Sequence, residues 1–293
     1  MTSIADIIPL WSKGINFKAY SIDKNLEYDQ IEKTLKQFNG NLKEQKEGWL
    51  TDYPYINDGK TISFVYTRFV NDSKASRVVN YNVQVPDSVG CYFYKDKKIL
   101  IVSTASDSKI NGLVRKKMFS AINILAEPKS VEYSTDFLFW LAYKHDIEGM
   151  KITNHLKVES VKAISSEFEK TNLSGAVSSN SNVTDHIQAQ IMLAIYGFVN
   201  GAEVTFNHKD AKYSFKISAD GRISAGIPST VENKEDKAQF ALMIHSILQE
   251  TYKIYEMDKD SVKWEEKKKH YRCNKLDKCS KSIQDFKKQM MNN

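Results

Sequence analysis

Residues 78–125 read VVNYNVQVPDSVGCYFYKDKKILIVSTASDSKINGLVRKKMFSAINIL, and this stretch decides the fold class. Three β-branched and aromatic runs, 78–85, 89–94 and 97–104, predict strands. The polar triplets Pro86-Asp87-Ser88 and Lys95-Asp96-Lys97 predict the turns between them. Ser106 or Asp107 is placed to cap a helix whose apolar residues Ile110, Leu113, Val114, Met118, Ala121, Ile122 and Leu125 recur at three and four. A helix so striped buries one face against a sheet, which predicts an α+β layer.

The same grammar recurs further along the chain. Residues 202–208, 211–218 and 221–227 predict three short strands with turns at Lys209-Asp210 and Asp220-Gly221. A helix over 231–255 follows, striped by Phe240, Met243, Ile244, Ile247, Leu248, Tyr252 and Tyr255. The two stretches can be laid over each other without a gap, but any sheet feeding a cover helix has this order, so duplication does not follow from it.

Between the layers, Ser134-Thr135-Asp136 caps a helix, FLFWLAYKH, that is apolar nearly all round and therefore belongs inside the protein or under a partner. Residues 150–167 predict one long strand or two short ones. Residues 173–182, LSGAVSSNSN, read as a boundary or mobile loop. Thr184 or Asp185 opens a helix running through Phe198. Before the first layer, 3–11 predicts a short helix, 17–22 a strand, 29–38 a helix stopped by Asn39-Gly40, and 61–70 a strand. The expected class is α+β: two antiparallel β-meander layers, each followed by a covering long helix, plus a C-terminal amphipathic basic segment. The expected domains are 1–130 and 131–260, with 261–293 as that segment.

The net charge of +6 is localised. Residues 263–293 hold ten Lys or Arg and four acids, and the remaining chain carries 32 of each sign. With 41% hydrophobic residues there is ample material for a packed core. No apolar run approaches the roughly 20 residues that span a bilayer, and the opening residues lack the basic region of an export signal. Three cysteines do not make a disulfide framework, so a cytoplasmic location without membrane insertion is expected.

Catalytic motifs are missing. Gly59-Lys60-Thr61 fails as a phosphate loop because Pro54 stands where its first glycine is required. Asp96-Lys97-Lys98 and Asp210-Ala211-Lys212 have the acid-x-Lys pattern of metal-dependent nucleases, but both fall at turns, where Asp and Lys are expected anyway. The six histidines are scattered. His270, Cys273 and Cys279 have a spacing that offers three metal ligands but no close fourth, so no metal and no other cofactor is expected.

The expectation is therefore a non-enzymatic assembly protein that binds a protein partner and itself. Its contact residues would be Phe137, Phe139 and Trp140 in the apolar helix and Trp264, Tyr271 and Phe286 in the tail. The Lys-, Asn-, Ile- and Ser-rich composition suits an AT-rich phage or mobile element, and hence a role in host-phage conflict. A second reading makes the tail a sequence-nonspecific nucleic-acid binder through Lys267, Lys268, Lys269 and Arg272. A divergent metal-dependent nuclease is a third.

Overall fold

A computed structural model describes residues 14–22, 28–41, 44, 46–50, 55–56, 59–72, 81–94, 99–103, 128–168, 173–179, 182–195, 198–228, 231 and 234–292. The protein is mixed α+β, with antiparallel sheet and its longest helices toward the C-terminus. It divides into two units, 1–131 with 227–242 and 132–226 with 243–293. The basic C-terminal segment thus belongs to the second unit, whereas the sequence suggested a segment of its own.

The first unit contains β1 (Gly14–Ser21), α1 (Tyr28–Gln37), β2 (Gly48–Leu50), β3 (Tyr55–Ile56), β4 (Gly59–Asp72), β5 (Tyr81–Tyr94), β6 (Ile99–Ser103) and β7 (Lys129–Ser130). Its strands run β2-β4-β5-β6-β1, with β3 on β4 and β7 on β1, all antiparallel. Alternation along β5 and β6 sends Val89, Cys91, Phe93, Leu100 and Val102 to one side, where they meet Tyr20, Ile31, Leu35, Trp49 and Phe64. Tyr92 and Ile101 point the other way and are also buried. Cys91 is a core residue, and burial pushes its thiol pKa up, which makes it inert as a nucleophile.

One expected turn is corrected here. Pro86-Asp87-Ser88 lies inside β5, paired with Thr67, Tyr66 and Val65 of β4. Among the described residues β6 pairs only with 91–94, so that part of β5 has β4 as its one described neighbour, an edge-like setting in which proline is tolerated. The helix expected over 106–125, the one over 3–11, and Asp96 all lie outside the described residues.

The second unit contains α2 (Thr135–Asp146), β8 (Leu156–Phe168), β9 (Leu173–Ser178), α3 (Ile187–Ile195), β10 (Gly201–His208), β11 (Ala211–Ser218), β12 (Arg222–Gly226) and α5 (Val262–Asn292). Helix α4 (Lys234–Lys259) starts in the first unit and continues in the second from Met243. The strand order is β12-β11-β10-β8-β9, antiparallel throughout. Residues 173–178, expected to be loop, add an edge strand to β8, because backbone pairing does not depend on the small side chains that made the segment look like loop. Register shifts in the β8–β10 ladder leave Glu159 and Lys162 without a partner opposite. The bulges bring Leu156, Val158, Val161 and Ile164 to the buried side at uneven spacing, which explains why the sequence did not distinguish one strand from two.

Helix α2 packs on β8 and β10, and its residues 137–144 are all buried. Ser134 caps it, its hydroxyl oxygen accepting from the Phe137 N–H at 3.0 Å. Among the described residues no helix is long and apolar enough to cross a membrane.

Candidate functional site: the C-terminal helix

Helix α5 is 31 residues long, about 46 Å at 1.5 Å per residue, and its two halves have different surroundings. Trp264, Lys268, Tyr271, Lys275, Cys279, Ile283, Phe286 and Met290 recur at three and four and therefore share one face. In the first half this face is held by α2 and α3. Trp264, Tyr271, Lys275 and Cys279 are buried.

The aromatic contacts between α2 and α5 are edge-to-face. Tyr143 of α2 meets Trp264 at 5.3 Å and Tyr271 at 5.5 Å between ring centroids, and Phe139 meets Tyr271 at 5.5 Å. Phe137 and Trp140 stack on each other, and each meets Tyr255 of α4 edge to face. Five of the six aromatics expected at a partner surface, Phe137, Phe139, Trp140, Trp264 and Tyr271, are therefore core residues of the second unit. The all-round apolarity of α2 has its partners inside the chain.

The acids of α2 and the turn after it organise the cations of α5. Asp136 accepts from Trp264 Nε1 at 2.8 Å and Tyr255 OH at 3.0 Å, and it pairs with Lys268. Glu148 accepts from Lys267 Nζ at 2.8 Å and Tyr143 OH at 3.0 Å. Arg272 donates to the carbonyls of Ala194 and Ile195, both at 2.9 Å, at the C-terminal end of α3 where positive charge is favoured. Of the four cations expected on phosphate, Lys267, Lys268 and Arg272 are engaged within the unit, and Lys269 is exposed.

Asp146 is the densest point. Its Oδ1 lies 2.7 Å from His145 Nδ1 and accepts from Thr184 Oγ1 at 2.7 Å. Its Oδ2 accepts from Tyr271 OH at 2.7 Å and from Lys275 Nζ at 2.6 Å. Lys275 also donates to the Thr184 carbonyl at 2.8 Å. Four donors fill the roughly four lone-pair directions of the carboxylate, so none is directed at a substrate, and the cluster is a clamp. Burial pushes this carboxyl upward, but the His145 hydrogen bond and the Lys275 charge outweigh it and hold the group well below the usual carboxylate range. Burial, reinforced by the Asp146 charge, drives the Tyr271 hydroxyl well up. Burial likewise raises Glu148, but the hydrogen bonds of Lys144 and Lys267 bring it down to about 2.

The three residues whose spacing offered metal ligands, His270, Cys273 and Cys279, are not gathered. His270 and Cys273 are exposed and Cys279 is buried, and the nine-residue step from 270 to 279 spans about 13.5 Å of helix axis.

Beyond Cys279 the helix leaves its support. Every side chain described from Ser280 to Met291 is exposed. Leu276 is 50% exposed, Ile283 51%, Phe286 63% and Met290 67%. Leu276, Cys279, Ile283, Phe286 and Met290 take alternate three- and four-residue steps, the a and d positions of a heptad register. The stripe continues the face that α2 and α3 cover further back. No protein-family model matches the sequence, and no curated protein matches it.

Proposed function

We propose that this chain is an assembly protein that works by contact rather than catalysis, pairing with a second copy of itself through residues 276–290 of α5. The observation that carries the proposal is the row of four large apolar side chains, half to two-thirds exposed, in heptad register on a helix that is fixed to the body only in its first half. Exposed apolar rows of this kind mark interaction sites. The stripe is complementary to itself, as an interface about a two-fold axis requires.

The energetics set the character of the pair. Full burial of a Leu, Ile, Phe or Met side chain contributes about 1.5–3 kcal/mol. Four such residues from each copy, partly shielded at the outset, contribute on the order of the roughly 4–15 kcal/mol that association costs. The dimer is therefore expected to dissociate on dilution. Residues 276–292 carry four Lys and two Asp, so two copies repel and salt strengthens the pairing. Nucleic-acid binding has the opposite salt dependence. Sedimentation velocity across a dilution series tests the reading: the wild type is expected to shift from dimer to monomer, and the Phe286→Lys variant to stay monomeric throughout. A wild-type chain that sediments as a monomer at every concentration contradicts it. The composition supports an origin in an AT-rich phage or mobile element, where the assembled form would bind a host or phage protein in host-phage conflict.

A further inference from the structure

Two strand ends and one helix converge in the second unit, independently of α5. His155 immediately precedes β8, and His208 closes β10, where it pairs with Leu156. The His155 carbonyl accepts from the Lys209 N–H at 2.9 Å, so His155 is held at the end of the same ladder. Lys209 and Asp210, with φ of 50° and 66°, form the two-residue turn that joins β10 to β11 and closes the hairpin directly after His208. Glu250 reaches this end from α4.

His155 Nε2 lies 2.9 Å from Glu250 Oε1, and His208 Nε2 lies 3.9 Å from Glu250 Oε2. The imidazole rings meet edge to face at 5.7 Å between centroids. All three ligand atoms lie within 4.8 Å of one another, the one such group of three among the described residues. We propose that His155, His208 and Glu250 form a binding site for a divalent transition-metal ion of the zinc class.

The donor set and the spacing support this. Two neutral imidazole nitrogens and one carboxylate oxygen suit zinc and its neighbours better than calcium or magnesium, which take oxygen ligands. Ligand atoms about 2.0–2.2 Å from a tetrahedral ion stand about 3.3–3.6 Å apart, so small rotations of the His155 and Glu250 side chains are sufficient to enclose one. Those side chains are 49% and 35% exposed and free to make that adjustment, while His208, at 17%, is the fixed member. Three protein ligands at an open surface leave a fourth position for water. Both histidines stand on backbone fixed by strand pairing, which limits the ordering cost of binding.

The test is calorimetric titration of zinc chloride into the full-length protein after chelator treatment. Cobalt is used in parallel, because its visible absorption reports four-coordinate nitrogen and oxygen ligation. One equivalent is expected to bind to the wild type and equally to Cys273→Ser, which removes the exposed thiol. Affinity is expected to fall by about tenfold or more in His155→Ala, His208→Ala and Glu250→Gln, with His270→Ala unchanged. If His208→Ala fails to fold, the other two substitutions, at more exposed positions, decide the matter. Absence of saturable binding, wild-type affinity in the His155 and Glu250 variants, or loss of binding in Cys273→Ser would each overturn the site.

Discussion

Lys275 Nζ lies 2.6 Å from Asp146 Oδ2 with both side chains almost wholly buried, so α5 is fastened to the end of α2 by an ion pair shielded from water. Breaking one side of such a pair leaves an uncompensated charge in the interior. Lys275→Met is expected to cost about 3–5 kcal/mol in urea denaturation. The double variant Lys275→Met with Asp146→Asn should recover part of that loss. A single-variant loss under about 1 kcal/mol, the size of an exposed pair, would show that the clamp contributes little.

The same acids set an acid limit on stability. Asp146 and Glu148 sit below their ordinary values of 3.8 and 4.5 in the folded chain, so the unfolded chain takes up protons first as pH falls. Their contribution is fully present above about pH 4.5 and declines toward about pH 2 as Glu148 protonates, with Asp146 following lower. Thermal melts across that window should show a shallower decline for Glu148→Gln than for the wild type. Parallel curves would exclude Glu148 as a source of the acid sensitivity.

Trp264 separates packing from hydrogen bonding. Trp264→Ala removes a buried indole and is expected to destabilise by about 3–5 kcal/mol, with faster amide exchange along the first half of α5. Trp264→Phe keeps most of the ring and loses chiefly the Nε1 donor to the Asp136 carboxylate, at about 1.5–3 kcal/mol beyond any repacking. Equal losses in the two variants would contradict the division.

In the first unit, Gly48 stands where two backbone segments cross. Its φ is 152°, and a Cβ there would lie 2.2 Å from the Phe38 carbonyl oxygen, which accepts the Trp49 N–H at 2.7 Å. Gly48→Ala therefore requires the crossing to open, at about 1–3 kcal/mol. A fluorescence melt unchanged from the wild type would contradict that crowding.

Elements with a clean period were legible from sequence. The three strands between 202 and 227 sit within a residue or so of their expected places, because period-two alternation and the Lys209-Asp210 turn act together. β5 and β9 were misread because Pro86-Asp87-Ser88 and the Gly- and Ser-rich 173–178 have the composition of turns, while ladder pairing with β4 and β8 fixes them as strand. The stripe of α5 was visible, but the point near Cys279 where its cover ends is set by tertiary packing. Asp136, Asp146 and Glu148 have no spacing in the sequence that links them to the tail, and only the fold turns them toward Lys268, Lys275 and Lys267. His155, His208 and Glu250 are 53 and 42 residues apart, and strand register brings them together.

The central claim, self-pairing through the projecting half of α5, is tested most directly by the native mass from size-exclusion chromatography with light scattering at low and high salt. The predicted result is a wild-type mass approaching twice the 33.6 kDa chain at high protein concentration, held or increased as salt rises, and a single-chain mass for Ile283→Lys with Phe286→Lys. A single-chain mass for the wild type under all conditions, or a dimer that survives the double substitution, would contradict the account.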